Sequence, residues 1–175
     1  MAGPLGKKVA VPDSFSPEIL FPISRDDQRK DKDLIFEKGM DIWNLHEIFW
    51  LNHDSVSNHN ELSIQIPADS KFTVESKSLK LFVNSLIHTR FESQKEVTDT
   101  IKRHVENLIE TSIKIGDIHP KKELSSKKIT INSDFSHAPK VSENQTITRF
   151  SGFRSLCPVT SQPDIADIYL SLIHI

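Results

Sequence analysis

A thiol and a carboxyl, two groups that can share one covalent reaction, lie close together in this chain as Cys157 and Asp164. They belong to the run Arg154-Ser-Leu-Cys-Pro-Val-Thr-Ser-Gln-Pro-Asp164, with Pro158 and Pro163 between them. Each proline fixes φ, so the connecting loop is expected to be stiff and to hold the two groups at a constant separation. Cys157 is the only cysteine. One thiol cannot close an intramolecular disulfide, and it cannot build a structural zinc site. Two readings remain open at this point: a packed structural thiol, the commoner fate of an unpaired cysteine, and a reactive one.

A second segment could bind what such a thiol attacks. Val74-Glu-Ser-Lys-Ser-Leu-Lys-Leu-Phe82 opens a helical pattern. Backbone N–H groups and the positive end of the dipole at a helix start favour anions. Ser76 and Ser78 add hydroxyls there, and Lys77 and Lys80 add charge. Such a start can hold a phosphate without a glycine loop, and Glu75 beside it can accept a ligand's pair of N–H groups. The plainer reading is an ordinary helix start, with a serine cap and a glutamate stabilising the first turn. The glycines, Gly3, Gly6, Gly39, Gly116 and Gly152, form neither a dinucleotide-binding fingerprint nor a P-loop, so a nucleotide must be held by some other device. His46, His53 and His59 form no H-E-x-x-H pair and have no acidic neighbour at ligand spacing, so no metal site is expected.

Composition narrows the classes. The 175 residues suffice for one domain or one and a half, with 37% hydrophobic and 26% charged residues. A formal net charge of -2 provides no basic field, so direct nucleic-acid binding is not expected. No apolar run reaches the ~18 residues of a membrane span, and Met-Ala-Gly-Pro-Leu-Gly-Lys-Lys8 lacks the apolar stretch of a secretory signal. The cytoplasm is therefore the expected compartment.

The elements that must position these groups follow from periodicity. Residues 1–38, with Pro4, Pro12, Pro17, Pro22 and the charged run Arg25–Asp33, are expected to form an extended, solvated arm. Ile42–Leu51 alternates as a long strand, placing Trp43, Leu45, Phe49 and Leu51 on one face and Ile42, Ile48 and Trp50 on the other. By that parity the two tryptophans face opposite ways, and core packing is expected for at least one of them. Asn52–Asn60 is turn material, and Leu62–Ile66 pairs back as a hairpin. Leu79, Phe82, Val83, Leu86 and Ile87 mark one helix, and Val97, Ile101, Val105, Leu108 and Ile109 mark a second, opened by Ser93 and Glu96 as a capping box. Short strands follow at Ser112–Ile115 and Ile129–Ile131. The order predicts an α+β module over 39–145, an antiparallel sheet with two helices on one face. A strand at Thr146–Phe150, the cysteine loop and a strand at Ile168–Leu172 then start a second module over 146–175.

Together these segments resemble the NADPH-dependent 7-cyano-7-deazaguanine reductases, the nitrile reductases of queuosine biosynthesis, in their long two-module form. The resemblance is carried by Asp41–Asn52, by Glu75–Lys80 with Asn84-Ser85 and Thr89–Phe91, and by the cysteine loop ending Gln162-Pro-Asp164; Leu5–Lys7 and Arg25 fit more loosely. It implies a tunnelling fold and NADPH as cofactor. It implies Cys157 as the nucleophile that forms a thioimide with the nitrile, and Asp164 as proton donor. Val74, Glu75 and Ser76 would bind the deazaguanine, and Ser76 and Lys77 would meet the cofactor. The site would form where the modules meet, and the full-length form would be a homodimer.

Ser161 and Ile165 stand where the family often has glycine and tryptophan, and Leu170–Ile175 departs from it. The family's later His-Glu and Arg-Gly-Gly elements do not follow, so the chain as given is expected to be truncated and without significant activity. Two rivals are a non-catalytic tunnelling-fold fragment or assembly protein with a packed cysteine, and a cyclohydrolase-type enzyme. The second normally needs zinc with cysteine and histidine ligands, which a single cysteine argues against.

Overall fold

The structure, a computed structural model, describes residues 3, 6, 10–30, 38–118, 127–130, 146–157 and 162–172. The expected loops His119–Ser126 and His137–Asn144, residues Leu5 and Lys7 of the arm, Asp31–Asp33 and the central cysteine loop Pro158–Ser161 lie outside the described residues. The chain divides into two compact units, Met1–His119 and Pro120–Ile175.

The first unit is α+β. The strands β1 (Pro22–Ser24), β2 (Met40–Leu51), β3 (Ser57–Pro67), β4 (Phe72–Val74) and β5 (Lys114–Gly116) accompany the helices α1 (Arg25–Arg29), α2 (Ser76–Asn84) and α3 (Gln94–Ile109). Its main sheet is antiparallel in the order β2-β3-β5, and β1 pairs antiparallel with β4 in a small second sheet. Hairpin, helix pair and return strand follow the order expected from periodicity. Ile48, Trp50, Leu62, Ile64 and Ile66 of the sheet meet Leu79, Phe82, Leu86, Val97, Ile101, Val105 and Ile109 of the helices in one core. Side chains of this size contribute roughly 1.5–3 kcal/mol each when fully buried, so this face dominates the stability of the unit.

The long strand departs from simple alternation. The register runs Leu45↔Leu62 and then Ile48↔Asn60, so β2 carries one extra residue at His46-Glu47, a β-bulge. A bulge reverses parity. Before it the odd residues Trp43 and Leu45 pack on the core, and after it the even residues Ile48 and Trp50 do, while Ile42 and Phe49 are exposed. The expectation that Trp43 and Trp50 face opposite ways is therefore wrong. The bulge also brings His46 Nδ1 within 2.8 Å of Glu61 Oε1 across the hairpin, an acidic partner that spacing along the chain did not reveal.

Residues 10–30 of the N-terminal arm are neither extended throughout nor loosely attached. After a single 3₁₀ turn at Pro17–Ile19, Leu20 enters the core. Arg25 begins α1 and is buried, with its guanidinium 2.6 Å from Asp41 and 3.0 Å from Ser70 Oγ. The charge pattern predicted solvation, but charged side chains can be buried when paired and hydrogen-bonded. The helix expected around Leu79–Ile87 is α2, which starts at Ser76, since Val74 belongs to β4; Ile87 lies beyond it and is exposed. At the start of α3, Ser93 Oγ accepts from Glu96 N–H, whereas the Glu96 carboxylate reaches Glu92 N–H, a shifted form of the expected box.

Phe15 stacks edge-on against His104 of α3 with centroids 5.5 Å apart, and Phe82 lies 5.7 Å from the same imidazole. Burial lowers the His104 pKa below its ordinary value of 6.5, and the Arg103 guanidinium acts in the same direction. The unfolded chain then takes up this proton at higher pH than the folded one. This contribution to stability is complete above pH ~6.5 and is lost as pH falls from there towards the folded pKa. The expected outcome is a denaturant midpoint that drops on acidification through this window, and drops less in His104→Phe. Parallel midpoint-versus-pH curves for the two proteins would remove His104 from the account.

In the second unit, β6 (Lys127–Thr130), β7 (Thr146–Leu156) and β8 (Pro163–Leu172) form a sheet in the order β6-β7-β8. The β7–β8 pair is the expected antiparallel hairpin, with longer strands than periodicity indicated. The strand near Ile129 does not close the first sheet as expected; it pairs in parallel with β7. Among the described residues no helix is long and apolar enough to cross a membrane.

Candidate active site

The candidate residues fall into two groups, one in each unit. Val74, Glu75, Ser76 and Lys77 occupy the junction of β4 and α2 in the first unit. Glu75 is itself the N-cap of α2, in extended conformation. Its Oε1 accepts from Lys77 N–H at 2.8 Å and its Oε2 from Ser78 N–H at 2.8 Å. Glutamate is an uncommon cap, and the plain reading of a serine cap is not what forms. Here the carboxylate is buried, and the helix dipole favours its negative charge. The two backbone donors that could have cradled a phosphate are used internally. Ser78 is not a ligand donor either: its hydroxyl is buried, donates to Glu75 O at 2.7 Å and accepts from Phe21 N–H at 3.0 Å. Each carboxylate oxygen has more than one acceptor position, so Glu75 retains capacity for further N–H partners.

Ser76 is exposed and lines a cleft of about 240 Å³ between β2 and α2, together with Trp43, Leu45, Leu79, Lys80 and Asn84. Trp43 Nε1–H is itself buried and has no hydrogen-bond partner among the described residues; an unmade bond on a buried donor costs ~1–3 kcal/mol. Sequence reasoning expected core packing for at least one tryptophan and placed the two on opposite faces; the bulge, which alternation alone does not show, puts both on the core side. Lys80 pairs with Glu47 at 3.6 Å, but both side chains are exposed, and such a pair is worth little and re-aims easily.

The second group lies at one end of the β7–β8 hairpin. Leu156 pairs with Pro163 and Ser155 with Asp164, so Cys157 directly follows the last paired residue of β7 while Asp164 is the second residue of β8. Asp164 therefore sits on a strand and not on the loop itself. Cys157 N–H donates to Gln162 O at 2.9 Å and closes the turn, so a ladder bond, and not proline stiffness alone, ties the two ends of the loop. Cys157 is half-buried. Among the described residues no three of His, Cys, Asp and Glu gather as a metal site.

Comparison with known proteins places the chain in a family. Residues 11–116 match the family model described as nitrile reductase, 7-cyano-7-deazaguanine-reductase N-term. Curated relatives named NADPH-dependent 7-cyano-7-deazaguanine reductase include one from Acinetobacter baylyi, 32% identical over 95% of this chain and 68% of its own length. Those from Desulfotalea psychrophila, 32% identical over 96% of this chain and 68% of its own, and Coxiella burnetii, 32% over 94% and 66%, are similar to the same extent. The family model matches more than half of the chain and these relatives match nearly all of it, so the chain belongs to the family of 7-cyano-7-deazaguanine nitrile reductases.

Proposed function

We propose that Cys157 serves the NADPH-dependent reduction of the nitrile of 7-cyano-7-deazaguanine to 7-aminomethyl-7-deazaguanine, in queuosine biosynthesis, as the thiol that forms a covalent thioimide. The observation that carries the reading is the shared hairpin end: a half-buried thiol just after β7 and an aspartate near the start of β8 flank a turn closed by Cys157 N–H. In this reading the first unit is a tunnelling-fold module and the protein acts as a homodimer. The exposed Met40, Ile42 and Phe49 on β2, an edge strand among the described residues, support the association.

The chemistry follows from the residues. The Cys157 thiolate adds to the nitrile carbon, forming a C–S bond while the nitrile nitrogen gains a proton from water; the later proton on nitrogen, during reduction, comes from Asp164. Cys157 leaves as thiolate once that carbon has received a hydride, and an imine remains. A second hydride on the carbon and a further proton on nitrogen give the amine. The cofactor, when bound, supplies those hydrides. Glu75 holds the deazaguanine through its paired N–H groups, with Val74 and Ser76 beside it. Ser76 and Lys77 hold the cofactor. Their donor set fits it, because a hydroxyl and an ammonium suit phosphate oxygens. With the Lys77 and Ser78 amides committed to Glu75, this contact falls to side chains.

The test is the intact mass of the chain after incubation with 7-cyano-7-deazaguanine without reductant. The expected result is a single adduct of one substrate mass, mapped to the Cys157 peptide and lost when NADPH is added. A chain that forms no adduct, and whose thiol resists alkylation, would instead favour a packed structural cysteine.

A further inference from the structure

The N-terminal strap and α2 are joined by a repeated device. Ser78 and Ser85 lie two turns apart on one face of the helix, and both are buried. Each hydroxyl donates to a carbonyl three residues back, Ser78 to Glu75 O at 2.7 Å and Ser85 to Phe82 O at 2.6 Å. Each also accepts a backbone N–H from the strap, Ser78 from Phe21 at 3.0 Å and Ser85 from Ser16 at 3.1 Å. Between these two anchor points Leu20 enters the core. The two serines thus do the same structural work.

They differ in what lies beside them. At Ser78 the strap also takes hold of Glu75: Glu75 N–H donates to Phe21 O at 2.9 Å, while Ser78 N–H holds Glu75 Oε2 at 2.8 Å. Glu75 is therefore fixed at its amide, its carbonyl and one carboxylate oxygen by Ser78 and the Phe21 backbone, and at the other oxygen by Lys77 N–H. We propose that Ser78, together with the backbone of Phe21, is the positioning device that sets the Glu75 carboxylate for its ligand. This rests on the reading of Glu75 as the group that binds the deazaguanine. Ser78 does not touch the ligand; it acts through Glu75.

Ser85 supplies the internal control, since removing its hydroxyl breaks the same kind of strap contact away from Glu75. Ser78→Ala, Ser85→Ala and Glu75→Ala are compared in the full chain by calorimetric titration with 7-cyano-7-deazaguanine, by thermal melting, and by hydrogen exchange at the amides of residues 77 and 78. Alanine suits a helix interior and fills the serine space, so both serine variants are expected to fold, with similar losses in Tm. Ser78→Ala should weaken binding about tenfold, or ~1.4 kcal/mol, and speed exchange at 77 and 78. Ser85→Ala should leave binding within about twofold and that exchange unchanged. Equal loss of affinity in the two serine variants would reduce Ser78 to a structural anchor and overturn the proposal. Weakened binding in Glu75→Ala with none in Ser78→Ala would overturn it while leaving the reading of Glu75 intact. Unchanged binding in Glu75→Ala would show that the reading of Glu75 had failed; exchange at 77 and 78 would then still decide whether Ser78 positions that carboxylate.

Discussion

Replacing Cys157 with alanine is expected to abolish both the covalent adduct and the consumption of NADPH that depends on it. The argument is one of bond formation. Cys157 is the only thiol in the chain, so nothing else can form the C–S bond through which the nitrile is activated. The substitution removes a half-buried side chain next to a turn whose closing bond uses backbone atoms, so the fold should survive. The change is then in chemistry and not in stability. Intact mass and the ultraviolet absorbance of the thioimide report it directly. An adduct that persisted in Cys157→Ala would mean that another nucleophile carries the reaction.

The second large effect is expected at Asp164, and it should be of a different kind. Adduct formation starts with the thiolate, whereas reduction needs protons delivered to nitrogen. Asparagine keeps the shape and the strand position opposite Ser155 but cannot donate a carboxyl proton. Asp164→Asn should still form the adduct. It should consume that adduct on the order of 10²-fold more slowly than the unsubstituted chain in a single turnover with NADPH, whatever the absolute rate. A rate within a few-fold of the parent would assign the proton to another group, and loss of the adduct itself would make Asp164 a partner in activating the thiol.

Much of the first unit could be read from the sequence because its signals are local. The helical spacing of Leu79, Phe82, Val83 and Leu86, the Ser93 cap and the alternation of Leu62–Ile66 each follow from period and turn chemistry over a few residues. What was missed depends on contacts between distant residues. The burial of Arg25 requires Asp41 and Ser70 to be in place, and the three-residue strands β1 and β4 exist only as a pair. The bulge at His46-Glu47 is fixed by the partner strand, so alternation within β2 could not reveal it. Of the site, the strings containing Glu75 and Cys157 were visible from residue types and from resemblance to a family. The capping role of Glu75 was not, because glutamate is an uncommon cap, and the second duty of Ser78 was not, because it depends on a strap from far earlier in the chain.

That strap also bears on how the molecule is made. The bonds from Phe21 to Ser78 and from Ser16 to Ser85 span 57 and 69 residues of sequence. Closing a loop of that size costs about 3.6 kcal/mol beyond a constant, but the cost falls only once. When either bond forms, the other closes a segment of a few residues and follows almost without further penalty. The strap precedes α2 in the chain, so it has no place to dock until α2 exists, and then docks in one step. Its attachment should behave as all-or-none, shared with the core through Leu20, and not as gradual residue-by-residue fraying.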